Sequence, residues 1–306
     1  MYPLIIEFAV FISLFLFGMT LLRTGLLFAG ENRTANWLES VTNNPINSVF
    51  VGTIASALLQ SSSALLVMTV ALVAAKQLRF SNAVGIVLGA NIGTTVTLEI
   101  LAFRADAMTV PLLVAGAFFL MTGKKRWMLP GSIAFGLGCM LVSMNGFGQM
   151  ANDLLGFIDQ VMSIEEATYG QSFLAGNIAT IIIQSSSAAL AIVMTMLETD
   201  GLSLDLALSF MLGTNIGTCA TAFLASIGAG RAAFYVALSH LAINVLGAII
   251  FYPILGAFTD ISMALATAPS AQLAHASVIY NIVTSVVALP LLWPLAKMIE
   301  KQFNLK

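Results

Sequence analysis

Two stretches carry hydroxyls and an amide where almost every neighbour is apolar. Gln60-Ser61-Ser62-Ser63 sits inside the apolar run 49–75, and Gln184-Ser185-Ser186-Ser187 inside the run 172–197. Serine hydroxyls rotate and donate to oxyanion oxygens, and glutamine adds an amide. Such a cluster suits a small anion. A second motif follows each: Gly89-Ala90-Asn91-Ile92-Gly93-Thr94-Thr95 and Gly213-Thr214-Asn215-Ile216-Gly217-Thr218. Glycine permits unusual backbone angles. These stretches are therefore expected to break their helices near the upstream third and expose carbonyl oxygens. Asn91, Thr94, Thr95, Asn215 and Thr218 add side-chain oxygens. Neutral oxygens of this kind suit Na+ in transporters with broken helices. Gln60 and Gln184 lie 124 positions apart, and so do Asn91 and Asn215. One offset shared by two motifs means an internal duplication. A lone Ser-Ser-Ser is more often helix packing; the duplication turns that balance toward a site.

The elements that carry these residues belong to a membrane. Of 306 residues, 59% are hydrophobic and 8% charged, with a mean hydropathy of +0.97. Soluble domains carry about 25% charged residues. Cys139 and Cys219 fall singly in apolar runs and read as core residues. His240 and His275 are too few and too far apart for a metal cluster. The sequence has no G-x-x-x-x-G-K-[ST] stretch, so ATP hydrolysis is not expected. Nor is catalysis: a nucleophilic serine needs a base, and His240 is the one candidate near a repeat. No nucleic-acid partner is expected.

A spanning helix needs ~20 apolar residues. The runs 4–22, 82–103, 107–122, 128–146, 204–227, 232–256 and 273–296 are read as spans. Lys and Arg favour the cytoplasmic side. The cluster Lys124, Lys125 and Arg126 is therefore placed inside, and the acidic stretch with Asp153, Asp159, Glu165 and Glu166 outside. The second Gln-Ser-Ser-Ser run then has both flanks outside. The first, flanked by Arg23, Arg33, Lys76 and Arg79, has both inside. Each reads as a re-entrant hairpin. Of the twelve Lys and Arg, only Arg104 breaks the rule. The expected fold is all-α and polytopic, with two inverted-topology repeats, 1–122 and 128–256. Each holds a Gln-Ser-Ser-Ser hairpin and a broken helix; 273–306 adds an extra span and tail. The N-terminus is expected outside and the C-terminus in the cytoplasm. Inverted repeats of this kind are a transporter architecture, with the site near the bilayer midplane.

The paired motifs, over about residues 48–290, resemble the type II sodium-dependent phosphate cotransporters and their bacterial relatives. His240 with Asn244, and Asn281 before Pro290, are similar to that family's later H-x-x-x-N helix motifs, although Ser277 stands where a second His is expected. The resemblance implies Na+-driven movement of inorganic phosphate across a plasma (inner) membrane. Gln60, Ser61, Ser62, Ser63, Gln184, Ser185, Ser186 and Ser187 would hold phosphate. Asn91, Thr94, Thr95, Asn215 and Thr218 would hold sodium, the coupling ion, with His240, Asn244 and Asn281 behind them. Transport of another small anion, or an anion channel, fits the motifs as well. Oligomeric state is open, a homodimer included.

Overall fold

The computed structural model describes residues 2–29, 44–103, 106–161 and 167–303. Arg33, Arg104, Glu165 and Glu166, used above to orient the chain, lie outside the described residues. The fold is helical, and the described residues contain no strand. In chain order the helices are α1 (Tyr2–Ala29), α2 (Pro45–Leu59), α3 (Ser62–Ala74), α4 (Phe80–Ala102), α5 (Thr109–Met121) and α6 (Lys125–Val161). They continue as α7 (Tyr169–Ile183), α8 (Ser186–Glu198), α9 (Leu204–Gly217), α10 (Cys219–Ser226), α11 (Arg231–Phe251), α12 (Leu255–Leu265) and α13 (Pro269–Gln302).

Among the described residues, six stretches are long and apolar enough to cross a bilayer: Pro3–Leu26, Phe80–Ala102, Lys125–Ala151, Leu204–Ser226, Arg231–Leu265 and Pro269–Gln302. The chain is a multi-pass membrane protein. The run 107–122, expected as a seventh span, forms an apolar helix shorter than those six. Its helix α5 has 13 residues, or about 20 Å at 1.5 Å each. Gly123, at φ +64°, ends it.

Two packing units recur. α2 lies along α4, and contacts climb both helices together: Gly85 abuts Ser48, Gly89 abuts Val49 and Thr53, and Gly93 abuts Thr53 and Ser56. The pair therefore runs in the same direction. α3 joins the far end of α2 to the near end of α4, so it must travel back. α7 lies along α9 in the same manner, with Gly213 against Phe173 and Asn177, and Gly217 against Asn177 and Thr180. A Cβ on Gly89 would land on the Val49 carbonyl oxygen, and one on Gly213 on that of Phe173.

These contacts correct the expectation of broken helices. α4 runs without interruption through Gly89–Thr95. Its glycines admit the backbone of α2 instead of unwinding. The second copy is interrupted only at Thr218, between α9 and α10, and Thr218 keeps right-handed helical angles (φ −61°, ψ −24°).

The two halves of the sequence share their cores. One cluster joins Leu65, Val70 and Val87 to Val236, Ala237 and Ala288. Another joins Phe15, Leu98 and Met140 to Leu190, Met211 and Tyr280. α13 closes the bundle against α4. The Glu300 carboxylate accepts from the Ser81 N–H at 3.0 Å, and the Ser285 hydroxyl donates to the Leu88 carbonyl at 3.2 Å. A carboxylate at a helix start meets the positive end of its dipole. Glu198 does the same for α13, accepting from the Ser270 N–H at 3.0 Å.

Candidate functional site

Both Gln-Ser-Ser-Ser stretches fold alike. Gln60 (φ 49°, ψ 31°) and Gln184 (φ 59°, ψ 21°) adopt the left-handed conformation and stop α2 and α7. Non-glycine residues rarely sit there. Each glutamine turns its own side chain back to help. Gln60 Nε2 donates to the Ala57 carbonyl at 2.5 Å, and Gln184 Nε2 to that of Ile181 at 2.9 Å. The next serine is extended and starts the following helix. Ser61 Oγ accepts from the Ala64 N–H at 3.1 Å, and Ser185 Oγ from the Ala188 N–H at 3.3 Å. Each N-cap satisfies one of the free N–H groups of its first turn. The first turns of α3 and α8 otherwise present N–H groups and the positive end of a helix dipole.

These two helix starts meet at one polar cavity, with an empty volume of about 380 Å³ counting the part open to solvent. From the first half come Ser62, Asn91, Thr94 and Thr95; from the second, Ser186, Ser187, Asn215 and Thr218. His240, Asn244 and Asn281 line it too. Thr214 and Ser277 join them, with Leu98 and Leu190 as the apolar wall. Among the described residues, no Asp, Glu, Lys or Arg lines it.

The other predicted residues do not line the cavity. Ser61 and Ser185 are helix caps. The Ser63 and Thr221 hydroxyls are hydrogen-bonded to each other at 3.2 Å, linking the halves. Gln60 is buried, and its Oε1 accepts from the Thr97 hydroxyl at 2.8 Å. Gln184 is exposed. Thr214 was within reach of the sequence, since it occupies the variable position of its motif. Arg23, read as a cytoplasmic flank, lies near the end of α1 and donates from Nε to the Leu59 carbonyl at 3.1 Å. A long side chain reaches back along its helix to a carbonyl at the end of α2.

Hydrogen-bond direction gives the cavity its character. Thr94 donates to the Ala90 carbonyl, Thr95 to Ile92 and Thr218 to Thr214, each at 2.8 Å. With their hydrogens committed, these hydroxyls offer lone pairs. Behind them runs a chain of amides. Asn244 Nδ2 donates to the Asn215 carbonyl at 2.8 Å, an acceptor only, so Asn244 Oδ1 must accept. It does so from Asn91 Nδ2 at 2.7 Å. Asn91 Oδ1 then faces His240 Nε2 at 3.2 Å, and that nitrogen must carry the hydrogen. His240 Nδ1 has no partner. One backbone carbonyl thus sets three side chains.

Comparison with known proteins decides the family. A model described as Na+/Pi-cotransporter matches residues 14–149 and 156–270. The chain belongs to this Na+/Pi-cotransporter family. It is 33% identical over 291 residues to the protein YqeW of Bacillus subtilis (strain 168), covering 94% of both chains. It is 29% identical over 293 residues to YjbB of Escherichia coli (strain K12), a protein named for inorganic phosphate export. That match takes in 94% of this chain but 53% of YjbB, about half its length. The sheep sodium-dependent phosphate transport protein 2A is 29% identical over 142 residues, 42% of this chain and 22% of that one. No solved structure matches the chain.

Proposed function

We propose that this protein is a secondary-active symporter that couples sodium to inorganic phosphate. Phosphate would sit between the starts of α3 and α8, taking hydrogen bonds from Ser62, Ser186, Ser187 and first-turn N–H groups. Helix starts suit anions. Sodium would sit beside it, on Thr94, Thr95, Asn215 and Thr218, with the free lone pair of Asn91 Oδ1 adjacent. His240 and Asn244 would hold that wall in register. The observation that carries the reading is the meeting of both motif copies in one uncharged cavity. There, anion and cation balance each other, so each raises the other's affinity without a lysine or arginine in the site.

In this reading α2–α3 and α7–α8 are re-entrant hairpins in inverted repeats, with 1–122 and 128–256 as the repeats. Three contacts support the inversion. Glu300, near the end of α13, reaches the start of α4, while His275, near the start of α13, meets Glu99 near the end of α4 at 2.8 Å. Glu198 brings the end of α8, and with it the start of α9, to the start of α13. α4 and α9 then run in opposite directions. Basic residues at the start of α6 and the end of α13 favour the cytoplasm for those ends. Flux direction follows the gradients, so a relative named for export is compatible with a symporter.

The test is ³²P-phosphate uptake into proteoliposomes under an inward Na+ gradient, with K+ replacing Na+ as control. Na+-dependent uptake, lost in Ser62→Ala and in Ser186→Ala, is expected. Equal uptake in K+ would point to a channel or uniporter. Strong competition by sulfate and none by arsenate would point to another anion.

A further inference from the structure

α13 lies outside the duplicated segments, yet it places Asn281 in the cavity wall. The Tyr280 hydroxyl, one residue earlier, donates to the Asn244 carbonyl at 3.2 Å, and Ser285, one turn later, is tied to Leu88. Asn281 is thus held against α4 and α11 together. Its amide is oriented from one end. Nδ2 donates to the Ser277 carbonyl at 2.9 Å, which accepts only, so Oδ1 faces the other way. That oxygen has no hydrogen-bond partner, on a side chain only 3% exposed. Buried polar atoms are nearly always paired, and an exception calls for a reason. Oδ1 is an acceptor with fixed direction, on a residue that lines the same cavity as threonine hydroxyls whose hydrogens are already committed. Either a cation or a donated hydrogen would satisfy it, and the hydroxyls with committed hydrogens can supply no such hydrogen. Hard cations take neutral oxygens of this sort.

We infer that Asn281 Oδ1 is a direct sodium ligand, contributed by the helix that has no counterpart in the repeat. This rests on the proposed symport and makes the ion site unsymmetrical. Two measurements in proteoliposomes test it. The first is the Na+ concentration giving half-maximal phosphate uptake, at saturating phosphate. The second is the KM for phosphate at saturating Na+. Asn281→Ala is expected to raise the half-saturating Na+ by at least about tenfold, in the range for disturbed metal ligation, and to leave the phosphate KM almost unchanged. Asn281→Asp keeps an oxygen there and is expected to retain Na+ affinity near wild type. Thermal unfolding of the detergent-solubilised protein, in NaCl against KCl, gives a readout independent of transport. Wild type and Asn281→Asp should be stabilised by Na+, and Asn281→Ala should lose that shift. Unchanged Na+ half-saturation in Asn281→Ala, with wild-type uptake still Na+-dependent, would overturn this assignment alone. So would a change confined to the phosphate KM, since Oδ1 would then be meeting the acid hydrogen of phosphate. Sodium-independent uptake by wild type would overturn the symport reading and this one with it.

Discussion

Asn244 is where the polar wall is decided. Its Nδ2 meets the Asn215 carbonyl, its Oδ1 meets Asn91, and its own carbonyl receives Tyr280. Replacing it with alanine strands Asn91 Nδ2 in a buried place. A buried group left without its partner costs about 1–3 kcal/mol. Asn244→Ala should therefore lower the unfolding temperature in detergent and reduce uptake, although the substituted residue need not touch phosphate. His240→Phe should do less harm to stability, because Asn91 Oδ1 would lose one neighbour and keep its other end paired. Unequal effects in that order would support the direction of the chain; the reverse order would mean that His240 is its anchor. Asn91 and Asn215 were legible in the sequence because duplication marked them, and His240 and Asn244 because they resemble a family motif; Tyr280 carried no signal. What was not legible is how each is used. Ser61, Ser62 and Ser63 look equivalent on paper. A helix start makes one a cap, one a cavity residue and one a partner of Thr221.

At the scale of elements, the motif glycines show why sequence alone misled. Glycine permits an unwound turn and equally permits two helices to touch. Only the neighbour decides, and in α4 the neighbour is α2. The same logic gives a sharp comparison. Gly89→Ala and Gly213→Ala should each destabilise by about 1–3 kcal/mol through overpacking. Gly148→Ala, in α6, meets nothing within 4 Å and should be neutral or gain up to about 1 kcal/mol of helix stability. Melting curves of the three variants would settle it, and equal behaviour would mean that the close approach of α2 to α4 is not needed. Arg23 makes a contact that the sequence does not announce, for a related reason. An apolar run shows where a helix enters a membrane, but not how far a long side chain reaches back. Arg23→Met leaves the Leu59 carbonyl without its charged donor. Reduced uptake with little change in expression is the expected result.

For the whole molecule, the duplicated sequence does not make two separable units. Both large hydrophobic clusters draw residues from each half. Thermal unfolding in detergent should thus be one transition, with the calorimetric and van't Hoff enthalpies equal. Two resolved transitions would mean that the halves melt apart. Six of the seven expected spans are matched by long apolar helices among the described residues, and at α5 a shorter helix ends at a left-handed glycine that hydropathy does not register. The two tips, alike in local backbone, differ in their holdings. Arg23, Thr97 and Thr221 reach the first from three other helices. Among the described residues, no side chain from another element bonds the second, where Gln184 donates to its own helix. The consequence is one of time. Amide hydrogens exchange with solvent only when a segment opens, and the least tethered segment opens most often. In deuterated buffer the amides of Gln184–Ser187 should exchange well before those of Gln60–Ser63, so that two stretches identical in sequence would keep different clocks.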